Sequence, residues 1–96
     1  MTASLAFASL MVLASVGPTV TQIDAERFRV GIIFDDQSPR GHANAQIALM
    51  RSASAHCRGK GTAVSEGTLN LDKAEPLRRG KEAMDLSEIY SCKRKD

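Results

Sequence analysis

The chain has 96 residues, with 13 Lys and Arg, 11 Asp and Glu, two cysteines and a net charge of +2. That length leaves no room for two ordinary domains, and the charge balance is not that of a nucleic-acid binder. A charged fraction of 25% is globular rather than disordered.

Every charged side chain lies at Asp24 or later. Residues 1–17, MTASLAFASLMVLASVG, are apolar apart from Thr, Ser and Gly, and Pro18 ends the run. A dozen apolar residues before small residues and a break form the h-region of an export signal. A spanning helix needs about 20 apolar residues. The expectation is therefore an apolar leader helix over residues 1–22, cleaved as a signal peptide. The alternative keeps it as an uncleaved membrane anchor. Three cuts are conceivable: after Val12-Leu13-Ala14, after Ser15-Val16-Gly17 and after Ile23-Asp24-Ala25. The beginning carries no Lys or Arg, which places the expected natural start upstream. A lipoprotein anchor needs a cysteine just after the h-region, and the first here is Cys57.

Residues 23–92 are expected to form a small α+β domain, and 93–96 a basic tail. From Ile23 onward 28 residues are apolar and nine of those are Ala, so larger core side chains are few. Phe28, Val30, Ile32 and Phe34 alternate at period two and predict a strand. Asp35 to Pro39 reads as a turn in which Ser38 caps a helix with Pro39 at its first position. The helix is predicted from Arg40 to about Arg58. Ala43, Ile47, Met50, Ser54 and Cys57 are spaced as one helical stripe, which predicts its buried face. Gly59 and Gly61 should end it.

Thr62–Ser65 and Thr68–Leu71 read as one bent strand with Gly67 at a bulge. Asp72 to Lys81 is polar, contains Pro76 and Gly80, and reads as a loop suited to contacting a partner. Ala83 to Cys92 predicts a last strand, with Met84, Leu86, Glu88, Tyr90 and Cys92 sharing a face. A helix over Lys81–Tyr90 competes, because Ala, Met, Leu and Glu favour one. The expected fold is a small two-layer β-α-β-β domain, one helix packed on a short sheet.

Cys57 should face the sheet and Cys92 ends the last strand. In an oxidising compartment a small core gains from a bridge between them. The alternative is two separately buried thiols.

Little else in the chain carries chemistry. His56 and Cys57 are helix neighbours pointing about 100° apart and cannot bond directly. His42 and His56 would lie about 21 Å apart along a helix and cannot share a metal. Asp35, Asp36 and His42 gather near the helix start, where a hard-cation or catalytic site is conceivable; acidic residues there also favour the positive end of a helix. Arg58-Gly59-Lys60-Gly61-Thr62 follows a helix rather than opening one, unlike a phosphate loop. No catalytic residue, cofactor or metal site is assigned. Arg78, Arg79 and Lys81, and Lys93 to Lys95, read as solvated loop and tail, with an anionic surface as their possible contact. Aromatic platforms for nucleic-acid bases are missing.

The leader, the short strand, the turn with Asp36, Ser38, Pro39 and Gly41, and the Ala-rich helix ending near Cys57 resemble UrcA-type proteins. These are small exported bacterial proteins of unknown function. The resemblance spans residues 28–57 and implies export, without an activity or a site residue. The functional expectation is a non-catalytic, disulfide-stabilised binding or structural module of the cell envelope, periplasmic or secreted. Its partner would be an envelope protein or an anionic surface, with no nucleic acid, and no membrane if the leader is cleaved. The alternatives are a membrane-anchored envelope protein, or a metal protein or enzyme using Asp35, Asp36 and His42.

Overall fold

A computed structural model describes residues 15–94. It contains strand β1 (Ser15–Gln22), strand β2 (Arg27–Phe34), helix α1 (Pro39–His56), strand β3 (Thr62–Arg78) and strand β4 (Lys81–Lys93). The strands form one sheet in the order β1-β2-β4-β3, and each neighbouring pair is antiparallel. The helix covers one face of this sheet, which makes the expected two-layer α+β domain.

The alternation in β2 has the predicted outcome. Phe28, Val30, Ile32 and Phe34 are all buried. Each such side chain contributes about 1.5–3 kcal/mol when removed from water. Leu86 and Tyr90 of β4 lie beside Ile32 and Phe28 in the register, so they share the helix-bearing face. Leu49, Ala45, Ala53 and Cys57 complete the buried cluster from above.

Ser38 caps α1 as the sequence predicts. Its hydroxyl accepts the Gly41 N–H at 3.1 Å, and Pro39 takes the first position. The buried stripe, however, is not the expected one. It runs Gly41, Ala45, Leu49, Ala53, each four residues on, and ends at Cys57. Ala43, Ile47, Met50 and Ser54 are exposed. Small residues on the buried stripe let the helix backbone settle close to the sheet, where the two β2 phenylalanines supply the bulk. Gly41 answers instead to the turn that leads into the helix: a methyl group there would overlap the Asp36 carbonyl oxygen. Cys57 ends either stripe, so its inward position survives the change of face.

The segment 62–71 is the bent strand that was expected. Three residues, Glu66 to Thr68, stand opposite Ile89 alone, and Gly67 has a φ of +82°. The expected polar loop over Asp72–Lys81 is instead the rest of a long hairpin. Asp72, Lys73 and Ala74 pair with Asp85, Met84 and Ala83, and Arg78 pairs with Lys81. A second irregularity around Pro76 absorbs the residue that cannot donate to a ladder. Arg79 and Gly80 make the turn, with Gly80 at a φ of +75°. The ladder also decides between strand and helix for Lys81–Tyr90 in favour of strand.

The expected leader helix is not what the described part of it forms. Ser15–Gln22 is β1, paired with β2 from Ser15↔Phe34 to Gln22↔Phe28, and all eight of its residues are exposed. Residues 1–14, the rest of the expected leader, lie outside the described residues. Among the described residues no helix is long and apolar enough to cross a membrane. Of the expected basic tail, Lys93 is the last residue of β4, and residues 95–96 lie outside the described part.

Cys57 and Cys92 are joined in a disulfide, with 5.4 Å between their Cα atoms. The bridge ties the end of α1 to the end of β4. Beside it the Gly61 backbone presses on the Lys93 carbonyl so closely that a side chain would not fit.

Candidate functional site

Asp35, Asp36 and His42 do not converge on a common point of chemistry. Asp35 follows β2 directly and is wholly buried. Its carboxylate accepts two hydrogen bonds from Arg78, Nε at 2.8 Å and Nη2 at 2.6 Å. The Arg78 guanidinium holds the Asp35 carboxyl below its usual range, against the opposing effect of burial. Arg78 was expected in a solvated basic loop; it is instead half of this ion pair. Asp36 accepts the Ser38 hydroxyl at 2.6 Å and the Ser38 N–H at 3.0 Å, which lowers its pKa in turn. His42 stands edge-on to Phe34, with ring centroids 5.1 Å apart. The alternative of a metal protein or enzyme built on these three residues thus finds them in separate contacts. The two carboxylates are engaged in structural bonds, and among the described residues no three or more His, Cys, Asp and Glu are grouped to hold a metal.

His56 and Cys57 point to different tasks, as their spacing predicts. The His56 ring packs on Phe28 at 4.3 Å, and its Nε2 lies 3.2 Å from Gln22 Oε1. The Cys57 sulfur is spent in the disulfide.

A second carboxylate network sits between α1 and the β3–β4 hairpin. Glu88 accepts the Tyr90 hydroxyl at 2.8 Å and, on its other oxygen, the Ser65 hydroxyl. Burial, and then the Glu88 carboxylate, push the Tyr90 phenol well above its ordinary pKa. The Tyr90 hydroxyl is thus held as a donor to Glu88. These three side chains, with Ala63, line a hollow of about 370 Å³ whose other wall is Gln46, Met50 and Ser54 of α1.

The apolar surface continues outward from this hollow. Leu69 lies beside Glu88 and Leu71 beside Leu86, so both stand on the helix-bearing face. The helix does not reach them: Leu69 is 45% and Leu71 46% exposed. Ile47 and Met50 on the outer flank of α1 are 43% and 58% exposed. Met50 and Glu88 line the hollow together and Leu69 adjoins Glu88 in the register, so these exposed apolar residues flank the hollow as a ledge on its β3 and helix sides. The opposite face of the sheet is mixed, with a shallow hollow of about 430 Å³ lined by Thr19, Thr21, Asp72 and Asp85 together with Val16 and Ile33. There Asp72 and Asp85 face each other directly across the strands.

Reading the residues missed Leu69 and Leu71 as surface, because their Leu-x-Leu spacing is also that of a half-buried strand. Gly67 and Pro76 on either side were the available sign that this strand is an edge. No family model, no curated protein and no solved structure matches the chain.

Proposed function

We propose that this is an exported, non-catalytic module of the cell envelope that binds through the ledge of Ile47, Met50, Leu69 and Leu71. The observation that carries the reading is this exposed apolar ledge, on a domain whose cysteines and buried carboxylate are committed to its own structure. Large apolar residues grouped on a surface mark contact sites more often than catalytic ones. A disulfide in so small a domain suits an oxidising compartment. The resemblance of residues 28–57 to UrcA-type proteins supports the same destination.

Strand β1 argues against the latest of the three cleavage sites. A cut after Ala14 leaves Ser15–Gln22 on the sheet, whereas a cut after Ala25 removes it. The test is expression of the full chain with a carboxyl-terminal tag, followed by fractionation and mass measurement. Release by osmotic shock, a mature chain beginning at Ser15 or Pro18 and no free thiol are the expected results. Intact Met1 on cytoplasmic protein with two free thiols overturns export, and an intact chain released only by detergent favours the anchored alternative. For the ledge, cross-linking in the intact envelope compares the natural chain with Met50→Ser and Leu69→Ser. Cross-linked species that the variants lose support binding; none in the natural chain overturns it.

A further inference from the structure

We infer that the occupant of the β3 side of the ledge is a second copy of this chain, paired edge to edge along β3. The inference rests on the reading of the ledge as a contact surface and adds the partner.

Among the described residues β3 is the outer strand of the sheet beyond β4, and none of them pairs with its far row of backbone groups. Between the irregularities at 66–68 and 75–77 it runs regularly from Leu69 to Ala74. Two copies related by a two-fold axis through the sheet pair antiparallel, with residues of like facing opposed. This permits few registers. Centring on Asp72 or Lys73 sets like charges against each other, which is unfavourable. Centring on Asn70 runs each copy into the bulge at Gly67 of the other.

Centring on Leu71 avoids both. Leu71 then meets Leu71 of the second copy on the helix-bearing face, where each is now half exposed. Leu69 lies against the aliphatic stem of Lys73 of the second copy. On the opposite face the Asn70 amide meets the Asp72 carboxylate of the second copy, twice over by symmetry. Asp72 already faces Asp85 within its own sheet, so an amide donor on its free side is a chemically matched neighbour. All five paired positions fall inside the regular stretch. The other outer strand, β1, lacks this: Pro18 has no N–H to offer, and the β1–β2 register shifts between Val16 and Thr19.

The experiment is light scattering coupled to size exclusion on the full oxidised chain, over a concentration series, with hydrogen exchange of the β3 amides. The natural chain is expected at twice its monomer mass, with residues 69–73 gaining protection as concentration rises. Asn70→Asp sets a carboxylate against Asp72 of the second copy and is expected to return the monomer. Adding Asp72→Asn to Asn70→Asp restores a matched pair, and with it the dimer. Circular dichroism of each variant separates lost pairing from lost folding, and Thr21→Asp on β1 serves as the edge control. A natural chain that stays monomeric at millimolar concentration overturns the inference. So does a double variant that folds but fails to dimerise. Neither result touches the binding reading, which stands or falls on the cross-links in the envelope.

Discussion

Asp35 and Arg78 are 43 residues apart, yet the guanidinium holds both oxygens of a carboxylate that has no exposure to solvent. The pair locks the end of β2 to the tip of the β3–β4 hairpin. Arg78→Ala leaves a buried carboxylate without its counter-charge, and that is costlier than never having had the pair. The expected outcome is a thermal midpoint lower by several degrees. Lys73→Ala, which breaks an exposed pair with Glu82 at 3.7 Å, should leave the midpoint almost unmoved.

The same pair sets the response to acid. Arg78 lowers the Asp35 pKa in the folded state, so its stabilisation is present above the unfolded carboxyl value of about 3.9. It is lost as pH falls through the lower folded value. Asp24, lowered by the Glu26 N–H and then Arg27, and Asp36, lowered by Ser38, act in the same direction. Stability is therefore expected to be flat near neutrality and to decline below about pH 4. Denaturant titrations across pH would show this, and Arg78→Ala should have a shallower acid slope.

Removing the disulfide opens a loop whose ends are 35 residues apart in the chain. The chain-entropy model puts the loss at about 3.5–4 kcal/mol. Cys57→Ala with Cys92→Ala should show a loss of this size in urea denaturation, a large share of what such a domain has.

Gly41→Ala tests the packing of the first turn of α1 against the preceding loop at Asp36. Helix propensity alone favours Ala by about 1 kcal/mol. The overlap with the Asp36 carbonyl oxygen opposes it, and overpacking typically costs about 1–3 kcal/mol. A net loss in denaturant titration is expected. On the face of the sheet away from the helix, Asp85→Asn relieves the carboxylate pair with Asp72 and is expected to add about 0.2–1 kcal/mol.

The helix shows what could be read from the residues and what could not. Its start was legible because Ser38 and Pro39 act locally. Its buried face was not, since Ala occurs on every side and Ile47 and Met50 outweigh Leu49 in a count of apolar bulk. Leu49→Ala should cost about 2–5 kcal/mol and Met50→Ser little. β2 was legible from its alternation, and Gly67 from its position in a strand. The hairpin beyond Leu71 was hidden because an outer strand is solvated on much of its surface and resembles a loop in composition. The Cys57–Cys92 bridge could be expected from two cysteines in a small core. The Asp35–Arg78 pair, and the ledge at Leu69 and Leu71, depend on contacts between distant segments that no local spacing encodes.

The sheet order also bears on how the protein is made. β4 is last in the chain but lies between β2 and β3. While the ribosome has yet to deliver residues 81–93, β2 and β3 have no common neighbour to pair with. The hairpin can close first through its two-residue turn and then dock on β2 as a unit, carrying Cys92 to Cys57. A nascent chain cut short before this point holds α1 and the β1–β2 pair without the strand that joins β2 to β3.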